Sequence, residues 1–491
     1  MTTPQNASTE TYSDDATVLR YVRPPQWAPP QHDGDYDFVV IGAGPAGIAA
    51  AEHAIELGVS VALVERHWLG GDSLNTGSVP SKSLIYTAGL CADLRKTAAF
   101  YHDIHRDAVA DFPAIVSRLQ NVRARIAEYH SVHRLSRAGV DVYFGNARFI
   151  DRRTIAVDEK TIAFKKALIA TGARPRSSNI VGLDDVGYRT SSNIFDLPAV
   201  PKRLAIIGGG PLGCELAQGF CRLGANVTII QNDPKFLPRE ERDAAELLSR
   251  SMARDGVQIR LNTTVVGARI DAVQKTLDML SNDQKSSLAT DEILLSIGRV
   301  ANVDDLNLDA ADVACNPDGI VVDEFLRTAN PQVFAAGDVC LSHKFTHVAK
   351  FSALMATENA LLDTKHDQRE LIVPWCTFCD PEIAHVGMQV WEAKARGIPV
   401  KTYTVMMHDV DRAIIDEQDT GFVKIHARDE SDEILGATIV ASRASEMINE
   451  VTVAMKAGVG LRDLAGVLHV YPSQAEAIHL AALAYRRSSK K

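Results

Sequence analysis

No apolar run in this 491-residue chain approaches the roughly 20 residues that a helix needs to cross a bilayer. The N-terminus lacks a basic start followed by an apolar core, so no secretory signal is expected. Cysteine is sparse: the seven residues, at 91, 214, 221, 315, 340, 376 and 379, are odd in number and scattered. That pattern excludes a disulfide framework and points to reduced thiols in a cytoplasmic protein. No second Cys/His pair stands at zinc-like spacing beside Cys376 and Cys379, so no metal centre is expected. Basic charge is also short, with 52 Lys and Arg against 62 Asp and Glu, a net −10 that disfavours a phosphate backbone as partner. What is present is an ordinary globular balance, 46% hydrophobic and 23% charged, on a chain too long for one core. About three domains are expected.

Residues 1–34 are rich in Thr, Ser, Asp, Gln and Pro and read as a flexible leader. Asp37–Ile41 is then a continuous apolar run, the pattern of a buried parallel strand. The loop Gly42-Ala-Gly44-Pro-Ala-Gly47, an Ala-rich helix and a second strand ending at Glu65 complete a βαβ unit with a dinucleotide fingerprint. Gly42 permits the tight turn, Gly44 lets backbone approach a pyrophosphate, and Gly47 lets helix and strand pack closely. Glu65 stands where an acid accepts hydrogen bonds from ribose hydroxyls. A long helical region follows, including Phe112–Ala138, whose Arg and His residues read as a solvated face.

The fingerprint recurs as Leu204–Ile207, Gly208-Gly-Gly210-Pro-Leu-Gly213, a helix, and a strand ending at Gln231. Two such units imply two nucleotides, and the natural pair is FAD with NADPH or NADH. Gln231 offers neither the acid that favours NAD nor the Arg that favours NADP. Lys235 and Arg239 are close enough in sequence to reach a 2′-phosphate, which leans the reading toward NADPH. Ile293–Gly298 closes this unit, and Val333–Asp338 is a further apolar strand ending in Gly-Asp. From Pro374 onward alternating strands and then helices, without a fingerprint, read as a separate α+β domain. The fold class expected is α/β, with two Rossmann-like units and a C-terminal α+β domain.

Between the first unit and its long helix lies Gly70-Gly-Asp-Ser-Leu-Asn-Thr-Gly-Ser-Val-Pro-Ser-Lys82. It resembles Gly-Gly-x-Cys-x4-Cys-x-Pro-Ser-Lys, the redox motif of the class I pyridine nucleotide–disulfide oxidoreductases. Ser73 and Ser78 stand at the two sulfur positions. The two fingerprints, this stretch and the Gly-Asp strand come in the family's order, so the resemblance covers nearly the whole chain from Asp35 to Arg487. It is nearest in flavour to the mercuric reductase-like branch and is also similar to lipoamide dehydrogenase and soluble transhydrogenase.

The resemblance implies an FAD domain over 35–178 and 302–371, interrupted by an NAD(P) domain over 179–301, and an interface domain over 372–491 that makes a homodimer. It places Gly42, Gly44, Gly47, Glu65, Gly71, Asp72, Lys82, Thr171, Gly172 and Asp338 at FAD. Gly208, Gly210, Gly213, Gln231 and Gly298 fall to the nicotinamide nucleotide. Lys82 corresponds to the lysine beside flavin N5, and Glu215 to its acid partner. Tyr471 stands where the disulfide reductases commonly carry a His base, oriented by the acid at Glu476. A phenol with a pKa near 10 is a poor base at neutral pH. His469 reads as a packing residue. The chain ends Arg-Arg-Ser-Ser-Lys-Lys, without the vicinal cysteines of mercuric reductases.

Serine forms no redox-active linkage and stays protonated. The expected activity is therefore hydride transfer from NAD(P)H to FAD, then direct transfer to a small acceptor: a quinone, a second nicotinamide nucleotide or oxygen. Two other readings stay open. Both serines are engineered replacements in a disulfide or metal reductase, or the chain is a flavin-containing scaffold that recruits a partner.

Overall fold

The computed structural model describes residues 16–97, 100 and 110–488. The first sheet carries parallel strands in the order Val140–Phe144, Val61–Glu65, Tyr36–Ile41 and Lys160–Ile169, with Val333–Ala335 on the far side of Lys160–Ile169. Both faces of this sheet are covered, which is why its central strands are apolar throughout rather than alternating. Helices Pro45–Glu56 and Thr346–Leu361 lie on one face, and a second apolar cluster containing Phe149, Ile155 and Leu306 fills the other. The Lys160–Ile169 strand serves two partners in turn. Its first residues pair antiparallel with Thr154–Val157, and its last ones run parallel between Tyr36–Ile41 and Val333–Ala335. The chain thus leaves this unit after Pro175 and returns to the same sheet at Val333.

The intervening unit has four parallel strands ordered Gln258–Arg260, Asn226–Ile230, Arg203–Ile207, Glu292–Leu295. An antiparallel layer of Thr264–Asp271, Gln274–Ser281 and Gln284–Thr290 is appended to it. Ala173–Pro175 and Arg299–Ala301 pair antiparallel where the chain crosses between units, so exit and return are tied together. The C-terminal unit is a five-stranded antiparallel sheet in the order Pro374–Thr377, Glu382–Gly387, Ile434–Ala441, Phe422–Arg428, Val400–Met406. Helices Ala444–Ala457 and Glu476–Ser488 pack their apolar sides on it. The fold class expected from sequence is the one found.

Three local expectations change. Residues 1–15 of the expected leader lie outside the described residues, but 16–34 are not a flexible leader. Ala16–Val22 is a helix, and Val18 and Val22, four apart on one face, are wholly buried in the first unit's core. Trp27 Nε1 donates to Val142 O at 2.9 Å, and Arg23 Nη1 to His67 O at 2.9 Å. A polar composition conceals this because so few anchoring side chains do the packing. The helical region 112–138 is two helices, Phe112–Tyr129 and Val132–Arg137, because Ser131 Oγ accepts from Arg134 N and caps a new start. The Cys376–Cys379 pair, which the alternating pattern from Pro374 onward would place in the strand opening the C-terminal unit, is only half in one, since the strand ends at Thr377.

The second and third units meet at Glu241. Its carboxylate accepts from Lys424 Nζ at 2.8 Å and His426 Nε2 at 2.7 Å. Burial alone would raise its pKa, but these two donors outweigh burial and pull it to about 2. A depressed carboxylate stabilises the fold above its unfolded pKa, and the gain is lost as pH falls through the folded value. Glu241→Gln is expected to cost about 3 kcal/mol at neutral pH. Urea midpoints at pH 7 and pH 3 check this, and the gap to wild type should narrow at the lower pH.

Candidate functional site: a dinucleotide cleft with a lysine–glutamate pair

The first fingerprint is built so that backbone, not side chains, lines the cleft. Gly42 has φ +102°, and a Cβ there would lie 2.5 Å from Ala170 O. A Cβ on Gly47 would fall 1.7 Å from Gly42 O, so only glycine lets the helix start beneath the strand. Gly71 abuts the same loop: its Cβ would be 2.8 Å from Gly44 Cα. Helix Pro45–Glu56 begins here with no side-chain cap, leaving its first amides for an anion. Glu65 lies beside it, with Oε2 accepting from Ala43 N at 2.7 Å and Oε1 from His67 N at 2.8 Å. Burial nevertheless raises its pKa. Each carboxylate oxygen keeps a lone pair, so two ribose hydroxyls fit here.

Asp72, Arg299 and Asp338 form the next cluster. Arg299 Nη2 donates to Asp72 and to the Ala173 carbonyl, and its Nε lies 3.7 Å from Asp338 Oδ2. Arg299 Nε is buried without a hydrogen-bond partner among the described residues. Burial raises the Asp338 pKa although Arg299 opposes the shift. The Asp338 side chain accepts no hydrogen bond among the described residues, while Lys344 Nζ holds its backbone carbonyl at 2.6 Å. A buried guanidinium N–H without a partner and a part-exposed carboxylate with spare acceptor capacity suit a polyhydroxyl chain. Thr171 Oγ1 donates to Asn302 O at 2.7 Å, Asn302 Nδ2 returns a bond to Thr171 O at 3.0 Å, and Gly172 turns there with φ +68°.

At the mouth between units, Lys82 Nζ donates to Glu215 Oε2 at 2.7 Å. Glu215 is 3% exposed and Lys82 35%. Glu215 Oε1 accepts from Phe378 N at 2.9 Å, and the Lys82 ammonium lies 4.5 Å from the centre of the Phe378 ring. Three separate stretches therefore converge on one ion pair. Ser73 sits in the short helix Gly71–Asn75, and Ser78 is exposed at the start of helix Ser78–Thr97. Thr346 Oγ1 donates to Ser73 Oγ at 3.1 Å. The intervening turn is held by Asn75, whose amide donates to Leu69 O and Gly71 O and accepts from Arg123.

The second fingerprint repeats the first. A Cβ on Gly208 would lie 2.3 Å from Ser296 O, and one on Gly213 2.3 Å from Gly208 O, while Gly210 is open and caps helix Pro211–Arg222. Gln231 Oε1 accepts from Gly209 N at 2.7 Å, the counterpart of Glu65 with Ala43. Gly298 has φ +105° with nothing against it. Lys235 and Arg239 are both exposed on the loop after this strand.

The C-terminal motif departs from the expected geometry. The Tyr471 hydroxyl donates to Asp411 Oδ2 at 2.7 Å instead of to Glu476, and that bond raises its pKa. Glu476 begins the last helix. His469 lies in a loop, not a strand; its Nε2 meets Glu450 Oε1 at 2.8 Å and its ring packs against His479. All seven cysteines are free, and burial raises the thiols of Cys214, Cys376 and Cys379. Among the described residues no group of His, Cys, Asp and Glu is arranged to hold a metal, and no helix is long and apolar enough to cross a membrane. Sequence reading overlooked Arg299, Asn302, Thr346 and Phe378. Arg299 follows the flagged Gly298, and Phe378 was hidden between two cysteines that drew attention to themselves.

Residues 36–359 match the family model described as pyridine nucleotide-disulphide oxidoreductase, and 373–482 match its dimerisation domain. The mercuric reductase of Staphylococcus aureus is 33% identical over 460 residues, 94% of this chain and 84% of that protein. The dihydrolipoyl dehydrogenase of Buchnera aphidicola is 31% identical over 463 residues, 91% of this chain and 95% of that one. Among solved structures, the HOCl-induced flavoprotein disulfide reductase RclA from Escherichia coli is 28% identical with a TM-score of 0.82, covering 91% of this chain and 99% of RclA. LpdA from Mycobacterium tuberculosis is likewise 28% identical, with a TM-score of 0.84 over 91% of this chain and 99% of LpdA. The chain belongs to the pyridine nucleotide–disulphide oxidoreductase family, near mercuric reductase and lipoamide dehydrogenase. It is a flavoprotein oxidoreductase whose cofactors are FAD and NAD(P)H.

Arg299→Met removes the guanidinium that lies between two carboxylates. A loss of about 1–3 kcal/mol is expected, the scale of losing charge-assisted hydrogen bonds in a part-exposed cluster. FAD retention should fall with it; urea unfolding and the flavin-to-protein absorbance ratio read the two effects.

Proposed function

We propose that this protein is an FAD-dependent NAD(P)H oxidoreductase that delivers electrons to a small acceptor without a redox-active disulfide. The observation that carries the reading is serine at 73 and 78 in a segment otherwise complete, together with the intact Lys82–Glu215 pair. Bound FAD supplies a two-electron carrier that takes hydride from NADPH or NADH and yields electrons to an acceptor. Gly42, Gly44, Gly47, Gly71 and Glu65 would hold its adenosine and pyrophosphate, with Asp72, Thr171, Gly172 and Asp338 along the rest of the cofactor. Gly208, Gly210, Gly213, Gln231 and Gly298 would hold the nicotinamide nucleotide, and exposed Lys235 and Arg239 support NADPH.

Lys82 keeps a cation where negative charge develops, and Glu215 fixes the ammonium's position, so no reorganisation is needed at the moment of transfer. Ser73 and Thr346 present hydroxyl groups on the side where family members carry thiols. That face suits a flat, weakly polar acceptor such as a quinone, a second nicotinamide ring or oxygen. The dimerisation-domain match supports a homodimer. Exposed Leu468, Val470 and Tyr471 give the C-terminal unit an apolar strip of the kind a partner subunit covers. A cytoplasmic setting agrees with the free, scattered cysteines.

The test is anaerobic mixing with NADPH and, separately, NADH, followed by a panel of quinones, nicotinamide nucleotides and oxygen. The flavin absorbance should bleach with two electrons in total and return with one of the acceptors. Lys82→Ala should slow bleaching about 100-fold or more, the scale of removing one preorganised electrostatic group. Absence of bleaching with either nucleotide sinks the proposal.

A further inference from the structure

The strand Pro374–Thr377 lies at an edge of the C-terminal sheet, paired on one side only, with Glu382–Gly387. Its free side is pinned by side chains from other units. His347 Nε2 meets Pro374 O at 2.8 Å, and Trp375 Nε1 donates to Glu240 Oε1 at 3.0 Å. Just past the strand, Phe378 N holds Glu215, and Gln218 takes Asp380 N at 2.8 Å. The segment is therefore stretched between two anchors on the second unit, Glu240 at one end and helix Pro211–Arg222 at the other. Phe378 supplies both the amide that fixes Glu215 and the ring that faces the Lys82 ammonium.

Glu240 is an unusual anchor. It is 4% exposed, and among the described residues it makes no ion pair and its Oε2 has no hydrogen-bond partner. It forms part of the wall of a cavity of about 620 Å³ between the second and third units, which Lys235, Lys394 and Trp391 also line. The Trp375 indole it holds is packed against His385, 4.4 Å between ring centres. His385 is buried, keeps a depressed pKa of about 4 and is therefore neutral near pH 7.

We propose that Glu240 is a positioning residue for the Lys82–Glu215 pair, acting through Trp375 and the segment that ends at Phe378. The inference rests on the reading of that pair as the point of hydride entry. A hydrogen bond to an ionised carboxylate is about twice as strong as one to a neutral oxygen. Ionised Glu240 thus pins Trp375 firmly, and protonated Glu240 lets the edge strand relax. Because the strand is extended, a shift at Trp375 is carried along it to Phe378 and so to the amide that Glu215 depends on.

Burial pushes the Glu240 carboxyl up to about 7. From its own loop, Arg242 and Arg239 oppose the rise and Glu241 adds to it. Arg242 is committed to the carbonyls of Phe236, Leu237 and Glu240, and Glu241 to Lys424 and His426. From the facing strand come Trp375 and the Cys376 thiol, which burial keeps protonated. Asp243, Lys235 and Lys394 line the shared cavity, and His343, itself depressed by burial, approaches Arg239. None of these replaces the missing partner of Oε2.

The experiment uses the FAD-loaded protein and two readouts between pH 5.5 and 8.5. One is the rate of anaerobic flavin bleaching by NADPH and by NADH. The other is tryptophan emission, with Trp375→Phe as the difference standard. Wild type should show a rate step of about fivefold, faster on the alkaline side, the size of one strengthened hydrogen bond. Its midpoint, near pH 7, should coincide with that of the Trp375 emission.

Glu240→Gln keeps an oxygen for the indole but does not titrate, so both steps should vanish and the rate should stay at the acid plateau. Glu240→Leu, where it folds, should be slower still at every pH, with KM unchanged. Persistence of the rate step in Glu240→Gln, or a Trp375 emission that does not titrate, overturns the proposal. Failure of both nucleotides to bleach the flavin overturns the reading of hydride entry instead, and the emission titration still decides whether Glu240 governs the strand.

Discussion

The Glu215 carboxylate is where the three units of the molecule are joined chemically. One oxygen takes the Lys82 ammonium from the first unit, the other takes the Phe378 amide from the third, and Glu215 itself belongs to the second. At 3% exposure both oxygens of this carboxylate need hydrogen-bond partners, and both have one. Removing either donor would leave a buried charge without compensation, so the relative placement of the units is fixed by the same atoms that define the cleft. Structure and site are not separable at this point.

The two dinucleotide units solve one steric problem twice. In each, a glycine with positive φ sits against a carbonyl just past the end of a neighbouring strand, and the third glycine lies against the carbonyl of the first. In each, the residue at or just past the end of the second strand reaches back to an amide of the loop, Glu65 to Ala43 and Gln231 to Gly209. The difference is charge. A buried glutamate keeps spare acceptor capacity for hydroxyl donors, whereas the glutamine amide also offers donors and imposes no repulsion on a phosphate. The same geometry therefore accommodates different nucleotides by one change of functional group.

Much of this was legible in the chain because local chemistry dictated it. Both Gly-rich loops, their flanking apolar strands, and the order of the units follow from steric demands that act within about thirty residues. What stayed hidden depends on contacts between distant segments. Nothing near Arg299 announces that it will lie between Asp72 and Asp338, which are separated from it by 227 and 39 positions. Helix Ala16–Val22 escaped notice because two valines and one tryptophan carry its packing amid polar neighbours. Tyr471 was aligned with an acid five residues on, but the loop carries its hydroxyl to Asp411 instead. Periodicity reads faces of elements; it does not read which loops meet.

The cysteines give the molecule a particular chemical temperament. The stretch Gly70–Lys82 contains no thiol, and of the seven sulfurs only Cys315, on a short hairpin, is exposed. The thiols of Cys214, Cys340, Cys376 and Cys379 are pushed far toward the protonated, unreactive form by burial. A soft electrophile, an organoarsenical or hypohalous acid would meet one fully exposed thiol, Cys315 on that hairpin. Cys376 and Cys379, which flank Phe378 beside the Lys82–Glu215 pair, are held in that protonated form, so the surroundings of the pair are poor in nucleophilic sulfur.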